Sequence, residues 1–205
     1  MDTKPTERSM LNLLLNRYTD FRRGTLTDRW VRAEHVKSGM GYIDGQRTAD
    51  FVAADKRPGI PYGTTLALIG HEVKVSRSDW LTELKDMDKS HAIKRYMHHW
   101  YLVVPDAAIV KPGELPADWG LLVSSGEGLR AKVKAPRLAP EPAPLDFTIS
   151  LMNAAAKTAH RESLHRDAPS IWLDRKGQCC GFCGGTTPCS FHQQPRKAAV
   201  TRRSG

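Results

Sequence analysis

The sequence lacks features that define several classes of protein. It contains no run of about 18 apolar residues, so no membrane-spanning helix is expected. The first residues lack the apolar core of a signal peptide, which predicts a cytoplasmic protein. Cysteine is absent except for four residues between Cys179 and Cys189. Without an export signal, cysteines clustered in this way indicate a metal site in preference to disulfides.

Basic residues outnumber acidic ones, with 31 Lys and Arg against 22 Asp and Glu, and the formal net charge is +9. This balance favours a polyanionic partner, most simply nucleic acid, although many unrelated basic proteins share it. The 205 residues, 40% of them hydrophobic and 26% charged, suffice for one soluble domain with a small appendage.

The most informative stretch is residues 66–75, which reads as a buried strand. Leu, Ile and Val dominate it, and a cluster of Pro and Gly precedes it. Its end carries Glu72 and Lys74, which project from the same face because side chains alternate along a strand. Burying charge is costly unless the charge is paired or bound to a metal. Two interpretations follow: an ion pair at a strand end, or a Mg²⁺ ligand beside a catalytic cation.

A second carboxylate is predicted beside this pair, because residues 48–54 read as a neighbouring strand that carries Asp50. Mg²⁺ prefers oxygen ligands and is commonly held by one or two carboxylates. Asp50 and Glu72, with the backbone carbonyl of Val73 as a third ligand, therefore predict a magnesium site. Lys74 would orient or activate the attacking water, or stabilise charge on the phosphate.

The surrounding pattern adds one more acidic residue. Apolar spacing predicts a helix over residues 28–36, and its Glu34 would extend the carboxylate cluster from the helix side. The alternative for Glu34 is a solvated helix charge. Further helices are predicted over residues 5–18 and over 146 to about 162, and another begins at 80, breaks near 86–88 and keeps helical spacing up to 100. Strands are predicted at 101–104, 120–123 and 129–134. A proline-rich linker is predicted at 135–144.

The tail contains a second set of metal-ligating residues, spaced C-x2-C-x5-C-x2-H. Three thiolates and one imidazole suit tetrahedral Zn²⁺, and an iron–sulfur cluster ranks below zinc. Free thiols in a tail without structure are the alternative to any metal. The predicted ligands are Cys180, Cys183, Cys189 and His192, with Cys179 as an alternative first ligand.

The order of these features resembles the PD-(D/E)XK nuclease superfamily, which has the restriction-endonuclease-like fold. The resemblance rests on the residues around Asp50, on His71-Glu72-Val73-Lys74, on the following helix, and on residues 100–105. It covers about residues 27–136 and is greatest to the small MmcB-like DNA-repair nucleases of bacteria and phages. It implies an α/β fold with a mixed β-sheet flanked by helices.

The resemblance also implies roles for residues. Asp50 and Glu72 become metal ligands, Lys74 the catalytic lysine, and Glu34 the acid of the first helix. One auxiliary polar residue is expected on the helix after the motif, where the candidates are Lys89, Lys94 and Tyr96. The sequence departs from the family pattern at Ala49, where the family name places proline.

The sequence therefore predicts a Mg²⁺- or Mn²⁺-dependent DNA nuclease of a bacterial cell or phage-infected host, acting in DNA repair, recombination or phage DNA metabolism. The alternatives are a nucleic-acid-binding protein without catalysis and an adaptor that binds protein through its zinc tail. RNA stays open as a substrate, and a homodimer is one option because cutting both strands of a duplex often needs two active sites. The predicted organisation is a nuclease-like domain at 1–136, a linker and helix at 137–170, and a zinc-binding basic tail at 171–205.

Overall fold

A six-stranded mixed sheet forms the centre of the computed structural model, which describes residues 4–19, 29–41, 46–56 and 66–164. The elements are, in chain order, α1 (Glu7–Arg17), β1 (Trp30–Lys37), β2 (Thr48–Asp55), β3 (Ala67–Val73), α2 (Arg77–Leu84), α3 (Asp88–Lys94), β4 (His99–Val104), a short 3-10 helix (Ala107–Ile109), β5 (Gly120–Ser125), β6 (Gly128–Val133) and α4 (Leu145–Leu164).

The strands lie in the sheet in the same order as in the chain, from β1 to β6. The β1–β2, β2–β3 and β5–β6 pairs are antiparallel, whereas β3, β4 and β5 are parallel. Parallel neighbours require a crossover connection, and α2 with α3 supplies the one between β3 and β4. The prediction of an α/β fold with a mixed sheet flanked by helices is confirmed.

Successive residues of the central strands pack into two different cores, so the sheet is covered on both faces. Phe51 packs with α1 on one face, whereas the next residue, Val52, belongs to the core that contains α4. Val103 and Val104 divide in the same way. Because α1 lies directly on the sheet, it can bring its first turn close to the ends of β2 and β3.

The last helix shares a core with the sheet. Phe147 and Ala154 of α4 are buried in the same cluster as Val52. The predicted linker also makes backbone hydrogen bonds, since the Leu138 N–H donates to the His98 carbonyl at 2.8 Å and the Glu141 N–H to the Arg95 carbonyl at 2.8 Å. Residues 135–144 thus run along the surface of the domain and lead into α4.

Two predicted helices are wrong in position. Residues 28–36 were expected to be helical, but residues 30–37 form the edge strand β1. The helix expected to begin at Trp80 begins at Arg77, where the Ser76 side chain caps it by accepting from the Asp79 N–H. Trp100, which fits helical spacing, lies on β4. Apolar spacing gave the wrong element at Trp100 because buried turns and strands can also supply such spacing.

In the described part of the chain, none of the helices has the length and apolarity needed to cross a bilayer. The predicted zinc ligands Cys180, Cys183, Cys189 and His192 lie outside the described residues, as does Cys179.

Candidate active site

The structure brings Asp50 and Glu72 together at the end of the β2–β3 ladder. Phe51 pairs with His71 in this antiparallel ladder, so Asp50 and Glu72 occupy the next opposing positions. The Asp50 Oδ2 accepts a hydrogen bond of 2.7 Å from the Val73 N–H. This bond fixes the Asp50 carboxylate against β3. The prediction that these two carboxylates lie on adjacent strands is confirmed.

Lys74 lies between two carboxylates. Its Nζ is 2.6 Å from the Glu72 Oε1 and 3.0 Å from the Glu83 Oε2, which α2 provides. The side chains of Lys74, Glu72 and Glu83 are 17%, 12% and 12% exposed, so water screens this trio only partly. The Lys74 ammonium therefore pairs with two largely buried carboxylates, and Asp50 provides a third acidic group beside them.

The pKa values of the site are governed first by burial and then by its excess of negative groups. Burial raises the pKa of Asp50 to about 6, against the Val73 N–H and the Lys74 charge, which lower it. Burial and the neighbouring Asp50 raise the pKa of Glu72 to about 8 despite its contact with Lys74. Burial tends to lower the pKa of Lys74, but Glu72 and Glu83 outweigh it and raise this pKa. Lys74 is therefore cationic, and the carboxyl pair holds a proton near neutral pH.

A cleft of about 330 Å³ opens beside these groups. Its acidic lining includes residues of α1 and α2 as well as Asp50, so the ends of two helices and two strands meet there. The lining residues are Glu7, Asp50, Val73, Lys74, Val75, Asp79, Thr82 and Glu83. Such a cleft attracts cations and disfavours anions unless a cation is bound.

Sequence reasoning missed two residues beside Asp50. Ligand atoms of Glu7, His35 and Asp50 lie within 4.8 Å of one another, and the His35 Nδ1 is 3.9 Å from the Glu7 Oε1. His35 has a φ of 53°, in the left-handed region that residues other than glycine rarely adopt. The acidic first turn of α1 was visible in the sequence, but nothing in the pattern indicated that it would meet Asp50.

Glu34 does not line this cleft. It lies on β1, where its carboxylate is 2% exposed and contacts the guanidinium groups of Arg8 and Arg161. One Arg8 contact, from Nη1 to the Glu34 Oε2, is 2.9 Å long. Burial opposes ionisation of Glu34, but Arg8 and Arg161 outweigh it and lower its pKa. The prediction that Glu34 lies on a helix is wrong, because it lies on strand β1. Arg8 of α1 and Arg161 of α4 neutralise its charge.

His71 lies on the opposite face of β3 from Glu72 and is fully buried. Its Nδ1 is 3.2 Å from the Phe51 carbonyl, which can only accept, so Nδ1 carries the proton. Its Nε2 then accepts from the Tyr18 hydroxyl at 2.8 Å. Burial lowers the pKa of His71 to about 3. His71 is a neutral core residue that ties α1 to the sheet.

The candidate auxiliary residues of the following helix lie elsewhere or outside the described side chains. The Lys94 Nζ pairs with the Asp118 Oδ2 at 2.6 Å. Tyr96 is buried against Phe147, with ring centroids 4.9 Å apart. The side chain of Lys89 is outside the described part of the structure. The residue of α2 that contacts Lys74 is Glu83.

No family model matches the sequence, and no curated protein matches it. Among solved structures, the chain is similar to a protein of unknown function from Silicibacter pomeroyi. The TM-score is 0.50 and the sequence identity 19%, and the match covers 83% of this chain and 97% of that chain. At this identity the likeness concerns the fold alone.

Proposed function

We propose that the protein is a metal-dependent DNA nuclease of the PD-(D/E)XK type, with a restriction-endonuclease-like core, acting in DNA repair, recombination or phage DNA metabolism. The observation that supports this most is the convergence of Asp50, Glu72 and Lys74 at one end of β2 and β3, beside an open cleft. The proposal retains a Zn²⁺ site at Cys180, Cys183, Cys189 and His192.

The residues of the site fit a divalent cation. Asp50 and Glu72 are largely buried carboxylates, and burial, with the repulsion of Asp50 in the case of Glu72, raises their pKa values. Hard divalent cations bind carboxylate oxygens, and Mg²⁺ keeps several water ligands. Asp50, Glu72 and the Val73 carbonyl would hold the ion, and Glu7 and His35 lie close enough to Asp50 to extend the ligand set.

A bound cation would supply Lewis acidity, lowering the pKa of water and stabilising charge on phosphate oxygens. The protein's own contribution is positional. Asp50 is held by the Val73 N–H, and Lys74 is held by Glu72 and Glu83. The Lys74 ammonium, kept protonated by these partners, would stabilise negative charge on a scissile phosphate in the transition state.

The test is cleavage of labelled single-stranded and duplex DNA with Mg²⁺ or Mn²⁺, and with EDTA. Lys74→Ala is expected to lower kcat/KM by about 10²- to 10³-fold, because it removes a preorganised cation from the transition state. Lys85→Ala, which removes an exposed lysine next to the end of α2, is the matched control and should cut like the wild type. Both variants need the wild-type melting temperature for the comparison to hold.

Metal-dependent cutting that Lys74→Ala abolishes supports the nuclease. No cutting of any substrate, with DNA binding unaffected by Lys74→Ala, would refute catalysis and favour a nucleic-acid-binding protein with a nuclease-like core. Cutting that survives in EDTA would refute the metal requirement.

A further inference from the structure

The strand β6 forms an exposed edge of the sheet and is rich in unpaired positive charge. Arg130, Lys132 and Lys134 are all exposed, and no carboxylate of the described residues pairs with them. Several other basic side chains of the domain have acidic partners, as in the pairs Arg29–Asp55, Arg77–Glu114 and Lys94–Asp118. The β6 cations are therefore available to an external anion.

The sheet register places Arg130 at the same end of the sheet as the candidate active site, and the other two cations follow it along the chain. Lys74 follows the last pair of the β3–β4 ladder, so Val104 stands beside it. Val104 pairs with Val123, and Val123 pairs with Arg130. Val104 and Val123 pack into the same core, so the side chains of this row of paired residues lie on one face of the sheet. Three strand spacings of about 4.8 Å put the backbones of Lys74 and Arg130 about 14 Å apart.

The surface beside Arg130 is concave and carries several polar groups. A depression of about 390 Å³ lies between the ends of β5 and β6, where two serine hydroxyls adjoin two basic side chains. Hydroxyl, lysine and arginine groups are the usual partners of phosphate oxygens in protein–DNA interfaces. The lining residues are Val123, Ser124, Ser125, Arg130, Ala131 and Lys132.

Without a bound cation, the acidic cleft disfavours a polyanion, because carboxylates dominate its lining. A substrate with many negative charges needs a separate positive surface within reach. The β6 edge provides that surface, whereas the cleft provides the groups suited to chemistry.

We propose that Ser124, Ser125, Arg130, Lys132 and Lys134, hereafter the β6 surface, bind the backbone of DNA whose scissile phosphate lies at Lys74. The location of that phosphate rests on the proposed function, but binding at the β6 surface does not require catalysis. At a rise of about 3.4 Å per nucleotide, the 14 Å separation corresponds to about four nucleotides. Productive substrates therefore extend at least that far on one side of the cleaved bond.

The test is a titration of labelled duplex DNA in Ca²⁺ or EDTA at several salt concentrations, followed by fluorescence anisotropy. For Arg130→Ala/Lys132→Ala, the slope of log K against log salt should fall in magnitude by about 1.8, because two phosphate contacts are lost, and the affinity near 0.1 M salt should fall by about 60-fold. The control Lys85→Ala/Lys157→Ala removes the same charge from exposed sites on α2 and α4. It should keep the wild-type slope.

Substrate length provides a second readout. Cleavage of duplexes that end fewer than about four nucleotides beyond the cut should not respond to Arg130→Ala/Lys132→Ala, whereas cleavage of longer ones should slow. An unchanged slope in this variant overturns the proposal. An equal loss of salt slope in the control variant Lys85→Ala/Lys157→Ala also overturns it. Self-association of Arg130→Ala/Lys132→Ala with normal DNA binding overturns it as well, because the charges would then only protect a sheet edge from pairing.

The two proposals fail separately. Binding through the β6 surface without cleavage refutes catalysis and leaves the surface in place. Metal-dependent cleavage with an unchanged salt slope refutes the surface and leaves the nuclease in place.

Discussion

Glu34 and Glu72 are both buried carboxylates of one sheet, but their surroundings have opposite effects on their charge. Glu34 contacts two guanidinium groups, and its pKa is lowered. Glu72 lies beside Asp50, shares a single ammonium with Glu83, and has a pKa raised to about 8. The first carboxylate is neutralised within the fold, and the second lacks the positive charge that would let it and Asp50 ionise together.

This difference separates a structural ion cluster from a site prepared for a ligand. Arg8 and Glu34 fasten α1 to β1, while their chain neighbours Glu7 and His35 lie beside Asp50 at the cleft. The neutralised cluster therefore holds the elements that carry the acidic cleft. Removing a carboxylate should therefore lower the free energy of unfolding in the Glu34 cluster and raise it in the cluster of Asp50 and Glu72.

The largest expected difference is between Glu34→Gln and Asp50→Asn. Glu34→Gln should lower the free energy of unfolding by about 2 kcal/mol, because it breaks a buried ion cluster whose arginines can only partly rehydrate. Asp50→Asn should raise it by about 1 kcal/mol, because it replaces a carboxylate whose burial is unfavourable with a neutral amide of the same shape. Urea denaturation at neutral pH without metal measures both. Equal destabilisation by the two substitutions would show that the clusters do not differ as described.

The pH dependence of stability should show the same deficit of positive charge. A carboxyl group whose pKa is raised by folding stabilises the fold fully below its unfolded pKa, and this contribution is lost as the pH rises through the folded pKa. With Glu72 at about 8, the free energy of unfolding should fall by about 2 kcal/mol between about pH 6.5 and 9.

The pH range of this measurement begins at about 6.5 to avoid the contribution of His71. Folding lowers the pKa of His71, so its effect is to make stability rise with pH, but only below its unfolded pKa of about 6.5. Denaturation of Glu72→Gln over the same range is the control, and its stability should change much less. A wild-type curve as flat as that of Glu72→Gln would contradict the assignment.

A smaller effect should follow from Glu83→Gln. Glu83 touches Lys74 and not the proposed metal ligands, so it is a positioning residue. Its loss should lower kcat about tenfold with KM unchanged, since it leaves Lys74 held by Glu72 alone. Asp79→Asn, which alters another acid of the same cleft, is the matched control and should leave kcat unchanged.

The central part of the site could be predicted because it depends on local pattern. A hydrophobic run ending in Glu72-Val73-Lys74 predicts a core strand with charged residues at its end. A second run predicts a neighbouring strand that carries Asp50. These are short-range signals that strand pairing preserves. The same alternation along β3 accounts for His71, whose side chain lies on the face opposite Glu72.

The rest of the site depends on tertiary contacts. β1 was predicted to be helical because its apolar residues do not alternate with polar ones as they would in a half-buried strand. The structure departs from that alternation as well, since Ala33 and Glu34 are both buried and His35 has a left-handed backbone. Glu34 is buried only because α1 and α4 supply arginines from distant parts of the chain. Glu7 reaches Asp50 through the packing of α1 on the sheet, which no local pattern records.

The most direct test is a calorimetric titration of the wild type and Glu72→Gln with Mn²⁺ alone, in two buffers of different ionisation enthalpy. Near pH 7 the wild type should bind Mn²⁺ with release of about one proton, because Glu72 must ionise to bind, and its affinity should rise between about pH 6 and 8. Glu72→Gln should bind far more weakly and release no proton. Equal binding by the two proteins, or no binding by the wild type, would contradict a cation site at Asp50 and Glu72.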